Sequence, residues 1–146
     1  MAVLFVLFTS WLLLRATGAF GVAELATWRG SLPYALAVMF VFTGIAHFNR
    51  LRHDLARMIP SICPRPMLIV YLTGIFELLG AAGLLLPKFR EPAGIGLIVL
   101  LVGMLPANVS AAQRGMTLRG KPVTKLSFRI PMQILLIALI AWASLR

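Results

Sequence analysis

The sequence predicts an all-α integral membrane helical bundle with five transmembrane helices, and three observations carry that expectation. Of 146 residues, 60% are hydrophobic and only 12% charged, whereas soluble domains carry about 25% charged residues. The mean hydropathy is +0.94. The charges are also confined: the 22 residues from Pro66 to Pro87 hold only one, Glu77. About 20 helical residues cross the ~30 Å hydrocarbon core of a bilayer, so the apolar runs are long enough to span. No repeat, low-complexity tract or long linker interrupts the chain, and residues 1–146 form one transmembrane domain.

The first segment, about Ala2 to Val22, contains Arg15. An arginine at a helix centre costs about 2.5–3.5 kcal/mol on the insertion scale, and each Leu, Ile, Phe or Val returns about 0.3–0.6. Eleven such residues between Val3 and Val22 return about 3–7 kcal/mol, so insertion wins narrowly. Ala16 and Gly18 are small enough for a signal-peptide cleavage site. However, no Lys or Arg precedes the run from Val3 to Leu14, and a retained helix is favoured over a cleaved leader.

The second segment, about Leu32 to Phe48, has no formal charge. The third, Met67 to Leu86, carries Glu77, and the fourth, Ala93 to Gln113, carries none. The fifth, Ile130 to Leu145, has only 16 residues between Arg129 and Arg146, whose side chains can snorkel to the two interfaces. Pro60, Pro64 and Pro66 break the chain before the third helix, and Pro87 and Pro92 bound a tight hairpin after it. Gly115, Gly120 and Pro122 punctuate the last loop, and the stretch from Asn49 to Arg65 is expected to begin as a short interfacial helix.

The net charge of +10 does not point to nucleic acid. The 14 Lys and Arg residues sit between apolar segments, where basic loops set topology and meet anionic headgroups, so the expected partner is the lipid bilayer. The loops after the second and fourth helices hold nine of them, against four on the other side counting Arg146. That asymmetry predicts a cytoplasmic N-terminus in a bacterial inner membrane and a C-terminus outside. Cys63 is the single cysteine, which excludes an internal disulfide; with His47 and His53 it lacks zinc-site spacing, and no metal is expected.

Two clusters are candidates for chemistry. Glu77 has Thr73, Gly74, Gly80 and Ala81 as helical neighbours. These are small residues that let another backbone approach, and Gly83, Gly96 and Gly103 are expected to pack helices in the same way. Counted from the inner ends of their spans, Arg15 and Glu77 reach similar depths, which predicts a buried ion pair. Such a pair either locks helix register or serves proton handling or ligand binding. The second cluster gathers at the cytoplasmic ends: His47, Asn108, Arg129 and Gln133, near Pro106, which frees the Val102 carbonyl. It suggests a shallow pocket for a headgroup or quinone ring, although an interfacial or capping role for His47 and a snorkelling anchor for Arg129 are the favoured readings of those two residues. There is no Ser-His-Asp set, phosphate-cradling glycine loop or carboxylate pair, so no catalytic residues are expected.

The stretches FTGIAHF (42–48), RMIP (57–60), GIFELLGAAGLLLP (74–87), LPAN (105–108) and FRIPMQ (128–133) resemble the DoxX family of small bacterial membrane proteins. The resemblance covers about residues 31–142 and implies a four-helix core, to which this chain adds an N-terminal span. It also implies an accessory or assembly subunit of a membrane redox system, with a membrane oxidoreductase as partner and quinone nearby. Glu77 and His47 are the matching polar positions. The alternative is a small carrier or binding protein for a lipophilic molecule, using the groove beside Glu77.

Overall fold

The structure, a computed structural model, describes residues 2–118 and 120–145. Arg119 and Arg146, two of the loop cations counted above, lie outside the described residues. Six helices follow in order: α1 Ala2–Ala19, α2 Trp28–Ala46, α3 Arg52–Met58, α4 Pro66–Leu85, α5 Arg90–Gln113 and α6 Leu126–Ser144. Among the described residues, the extended structure is one minimal ladder, Thr117–Leu118 against Lys121–Pro122. All helices except α3 are long and apolar enough to cross a membrane.

Local chemistry explains where the observed ends depart from the expected ones. Helix α1 stops at Ala19 rather than Val22, and the chain turns at Gly21, whose φ of 107° suits glycine alone. Helix α2 begins four residues early because Thr27 Oγ1 accepts the Gly30 N–H at 2.9 Å, an N-cap. Pro66 opens α4 at a position where its missing N–H costs nothing. Helix α6 starts at Leu126 and has 19 residues, so the short fifth span becomes one of full length. The interfacial helix expected after α2 is α3; the Asn49 side chain accepts the Leu51 N–H at its start, and Arg57 pairs with Asp54 one turn away.

Helices α2, α4, α5 and α6 form a closed ring in which each packs on the next and α6 returns to α2. Helix α1 lies outside the ring, against α2. The central position of α2 shows in its burial: Leu32, Leu36, Met39 and Phe40 meet Leu84, Leu97, Leu136 and Ile140 in the core. On α4, Val70, Gly74, Glu77, Gly80 and Leu84 face inward, while Leu68, Leu72, Ile75, Phe76 and Leu79 face outward. The one charge of that helix therefore points into protein, and the large apolar side chains point away from it. That arrangement is compatible with a lipid environment, in which a spanning charge faces the bundle.

In lipid, helix association rests on close packing by small residues. Three of the five glycines expected to pack helices do so. A Cβ on Gly74 would lie 2.5 Å from His47 Cβ, one on Gly80 2.5 Å from Leu97, and one on Gly83 2.5 Å from Ala93 Cβ. Gly96 and Gly103 are corrections: a Cβ on either meets nothing within 4 Å. Their spacing on α5 resembles that of packing glycines, but both lie beside open grooves.

Gly83→Ala is expected to lower thermal stability in detergent by about 1–3 kcal/mol, the usual cost of overpacking. Gly96→Ala is expected to raise it by up to ~1 kcal/mol through helix propensity. Melting curves of the two variants that move together would refute this distinction.

Candidate functional site

His47 closes α2, its backbone N–H reaching the Gly44 carbonyl at 3.1 Å. Its ring extends across to α4, and Nδ1 lies 2.8 Å from the Val70 carbonyl. A carbonyl only accepts, so Nδ1 carries the proton and Nε2 presents a lone pair in the neutral ring. Thr73 Oγ1 lies 3.1 Å from the same Nδ1 while donating within its own helix to Ile69 and Val70 carbonyls. The seat exists because Gly74 has no side chain where His47 Cβ lies. Gly44 plays the reciprocal part on α2, facing Leu78 and the Cβ of Glu77.

The other edge of the ring faces Glu77. His47 Nε2 lies 3.7 Å from Glu77 Oε1, and the residues are only 5% and 4% exposed. Glu77 Oε2 is buried and has no hydrogen-bond partner. The buried pair is thus Glu77 with His47, which corrects the expected pair with Arg15.

Arg15 lies at the opposite end of α2, its guanidinium 5.7 Å from the centre of the Trp28 ring. The cause is register. Trp11 Nε1 donates to the Trp28 carbonyl and to Ser31 Oγ, which fixes α1 against the beginning of α2. Glu77 is instead level with Gly44, about 24 Å further along α2 at ~1.5 Å per residue. The helices do not start from a common plane, so counting residues from their inner ends misplaced Arg15. Its Nε is buried without a hydrogen-bond partner, and its charge rests on the Trp28 ring, which packs edge-on against Trp11.

A cavity of about 470 Å³ opens beside His47, between the end of α2, α3, α4 and α5. Apolar side chains dominate its wall, among them Met58, Ile69, Val99, Leu100 and Met104, with His47, Thr73 and Asn108 as polar points. Two of the four residues expected in an end pocket, His47 and Asn108, therefore line one cavity. Thr73, assigned to the Glu77 face, joins them. Arg129 and Gln133 are not in its wall. Arg129 holds Asn108 from behind, its guanidinium donating to Asn108 Oδ1 at 2.7 Å and to the Thr124 carbonyl at 2.9 Å. Gln133 Nε2 donates to the Leu101 carbonyl at 2.6 Å, one residue before the carbonyl that Pro106 frees.

Cys63 also lines the cavity, as do Pro60 and Gly103. Sequence reasoning set Cys63 aside because a lone cysteine supports neither a disulfide nor a metal site. Only the folding of the 59–65 segment over α4 reveals its place. Next to the cavity, Arg114 donates to the carbonyls of Arg57 and Met58, both at 2.9 Å, and so caps α3, which helps line it, from the end of α5. No cluster of three metal-ligating side chains occurs among the described residues.

The chain belongs to a family described as a domain of unknown function (DUF8561), matched over residues 36–145. The match begins inside α2, runs to the end of α6 and leaves α1 outside. No curated protein and no solved structure matches the chain. Membership in a family of unknown function brings no activity with it, and the match neither repeats nor overturns the DoxX resemblance.

A double-mutant cycle on Asn108→Ala and Arg129→Gln, read by unfolding in detergent, is expected to show a coupling energy of about 0.5–3 kcal/mol. Additive effects would mean that Arg129 does not hold the cavity's asparagine.

Proposed function

We propose that this chain is a multi-pass membrane protein that binds a lipophilic small molecule with a compact polar head, of the quinone type, in the cavity beside His47. The observation that carries this reading is the cavity itself: about 470 Å³, mostly apolar, with three polar side chains near one another. Ligand sites are commonly clefts of about 300–1,000 Å³ lined by apolar groups, with a few polar groups that fix orientation. Thr73 and Asn108 supply hydrogen-bonding groups for a carbonyl or hydroxyl, and the long apolar wall suits a tail. Among the described residues no catalytic constellation accompanies it, and the reading offered is binding rather than catalysis.

We place the chain in a bacterial inner membrane with its N-terminus cytoplasmic. The two heavily basic loops lie at one end of the bundle, where Arg114 bonds the carbonyls that close α3, and such loops stay on the cytoplasmic side. Reporter fusions after Lys88 and at the C-terminus are expected to read as external, and fusions within 49–65 or 114–125 as internal. The reverse pattern would put the cavity at the opposite face.

Cys63 reports occupancy. A short-tailed benzoquinone such as decylubiquinone is expected to slow maleimide alkylation of Cys63 in detergent-solubilised protein. Gly103→Leu, which fills space that is empty beside Gly103, is expected to abolish that protection without unfolding the protein. Equal alkylation rates with and without the quinone would refute quinone binding here. An accessory role in a redox system is the second reading, supported by the GIFELLGAAGLLLP resemblance (74–87). It requires a membrane oxidoreductase that co-purifies in mild detergent.

A further inference from the structure

We propose that Glu77 is a proton-binding site loaded from the cavity, with His47 as the relay between them. Three observations converge on this. His47 separates the two compartments: its Nδ1 edge lies with Val70 and Thr73, which line the cavity, and its Nε2 edge lies 3.7 Å from Glu77 Oε1. Glu77 is 4% exposed and its Oε2 has no partner. A buried carboxylate with one oxygen lacking a hydrogen bond is costly, and a proton on it removes the cost without a fixed counter-ion.

The surrounding charges leave His47 as the partner. Helix α4 carries no other charge; Arg65 is its N-cap and Lys88 lies just past its end. Helix α5 carries charges only at its ends, Arg90 and Glu91 at one and Arg114 just past the other. On α3, Asp54 and Arg57 pair with each other, while Arg52 donates to the Phe48 carbonyl and His53 lies on the same short helix. Helix α2 contributes Arg29 and Tyr34 near its start and His47 at its end.

Beyond these groups, proton transfer needs only a water molecule in the cavity as acceptor. The carboxyl O–H of Glu77 breaks as an N–H bond forms at Nε2, giving an imidazolium beside a carboxylate. The Nδ1 proton, until then donated to the Val70 carbonyl with Thr73 Oγ1 beside it, next passes to that water, and Nδ1 keeps the lone pair. Loading runs the same steps in reverse. The present 3.7 Å separation must close to about 3 Å for direct transfer, a small movement of the Glu77 side chain. This inference rests on the cavity being open, as the function above requires, but not on any ligand binding there.

The test is therefore made on empty protein, by infrared spectroscopy during transfer into D2O. Wild type is expected to show a carboxylic C=O stretch that Glu77→Gln removes and that shifts quickly on deuteration. Alkylating Cys63 with a bulky maleimide, which plugs the cavity, is expected to slow that shift; Cys63→Ser should abolish the reagent's effect. His47→Ala is expected to slow the shift about a hundredfold or more, the usual loss with a positioned acid–base group, and added imidazole should restore it. A missing carboxylic band, or exchange indifferent to both the plug and His47→Ala, overturns the proposal. If exchange behaves as expected while decylubiquinone fails to protect Cys63, the relay stands and the quinone reading falls.

Discussion

The approach of α4 to the end of α2 is the constraint on which the rest of the structure depends. Gly44 and Gly74 remove the two β-carbons that would hold those helices apart. Once the backbones are that close, the His47 ring has one place to lie, over Val70 and Thr73 with its far edge towards Glu77. The cavity follows from the same contact, because α3 and α5 close around a space whose inner wall is already fixed. A side chain at position 74 would displace His47 and dissolve the separation between cavity and buried acid.

The basic residues at the ends of the bundle bind backbone. Arg90 donates to the Leu84 carbonyl near the end of α4, Arg29 to the Trp142 and Leu145 carbonyls at the end of α6, and Arg114 to the last carbonyls of α3. The last turn of a helix leaves carbonyls without intrahelical donors and carries partial negative charge. A guanidinium satisfies both needs, and each of these arginines comes from a helix other than the one it caps. The residues that the sequence offers as topology signals thus also tie the ends of the bundle together.

The site was legible in pieces. Glu77, Thr73 and Gly74 form one face in the sequence and His47 and Asn108 another cluster; in the structure Thr73, His47 and Asn108 line one cavity, and Glu77 lies behind His47, outside it. That they meet depends on the crossing of α2 and α4, which residue spacing within either helix does not specify. Arg15 failed as a partner because depth was counted from helix starts, whereas Trp11 sets α1 against the opposite end of α2. Gly96 and Gly103 failed because a glycine pattern marks a possible close approach without saying which face of the helix is covered.

What the sequence determined by itself was the all-helical architecture: long apolar runs, broken by Pro and Gly and flanked by Arg and Lys, give five helices long and apolar enough to cross a membrane, which is compatible with a multi-pass membrane protein. It also pointed Glu77 inward, since an acid amid apolar neighbours on a helix able to span a membrane is costly to leave facing outward, and the residue is buried. Only the tertiary structure decided which cation or proton carrier that acid meets. Register between helices is set by interlocking shapes, such as Gly74 under His47 and Trp11 against Ser31, and those shapes exist only when two segments are side by side.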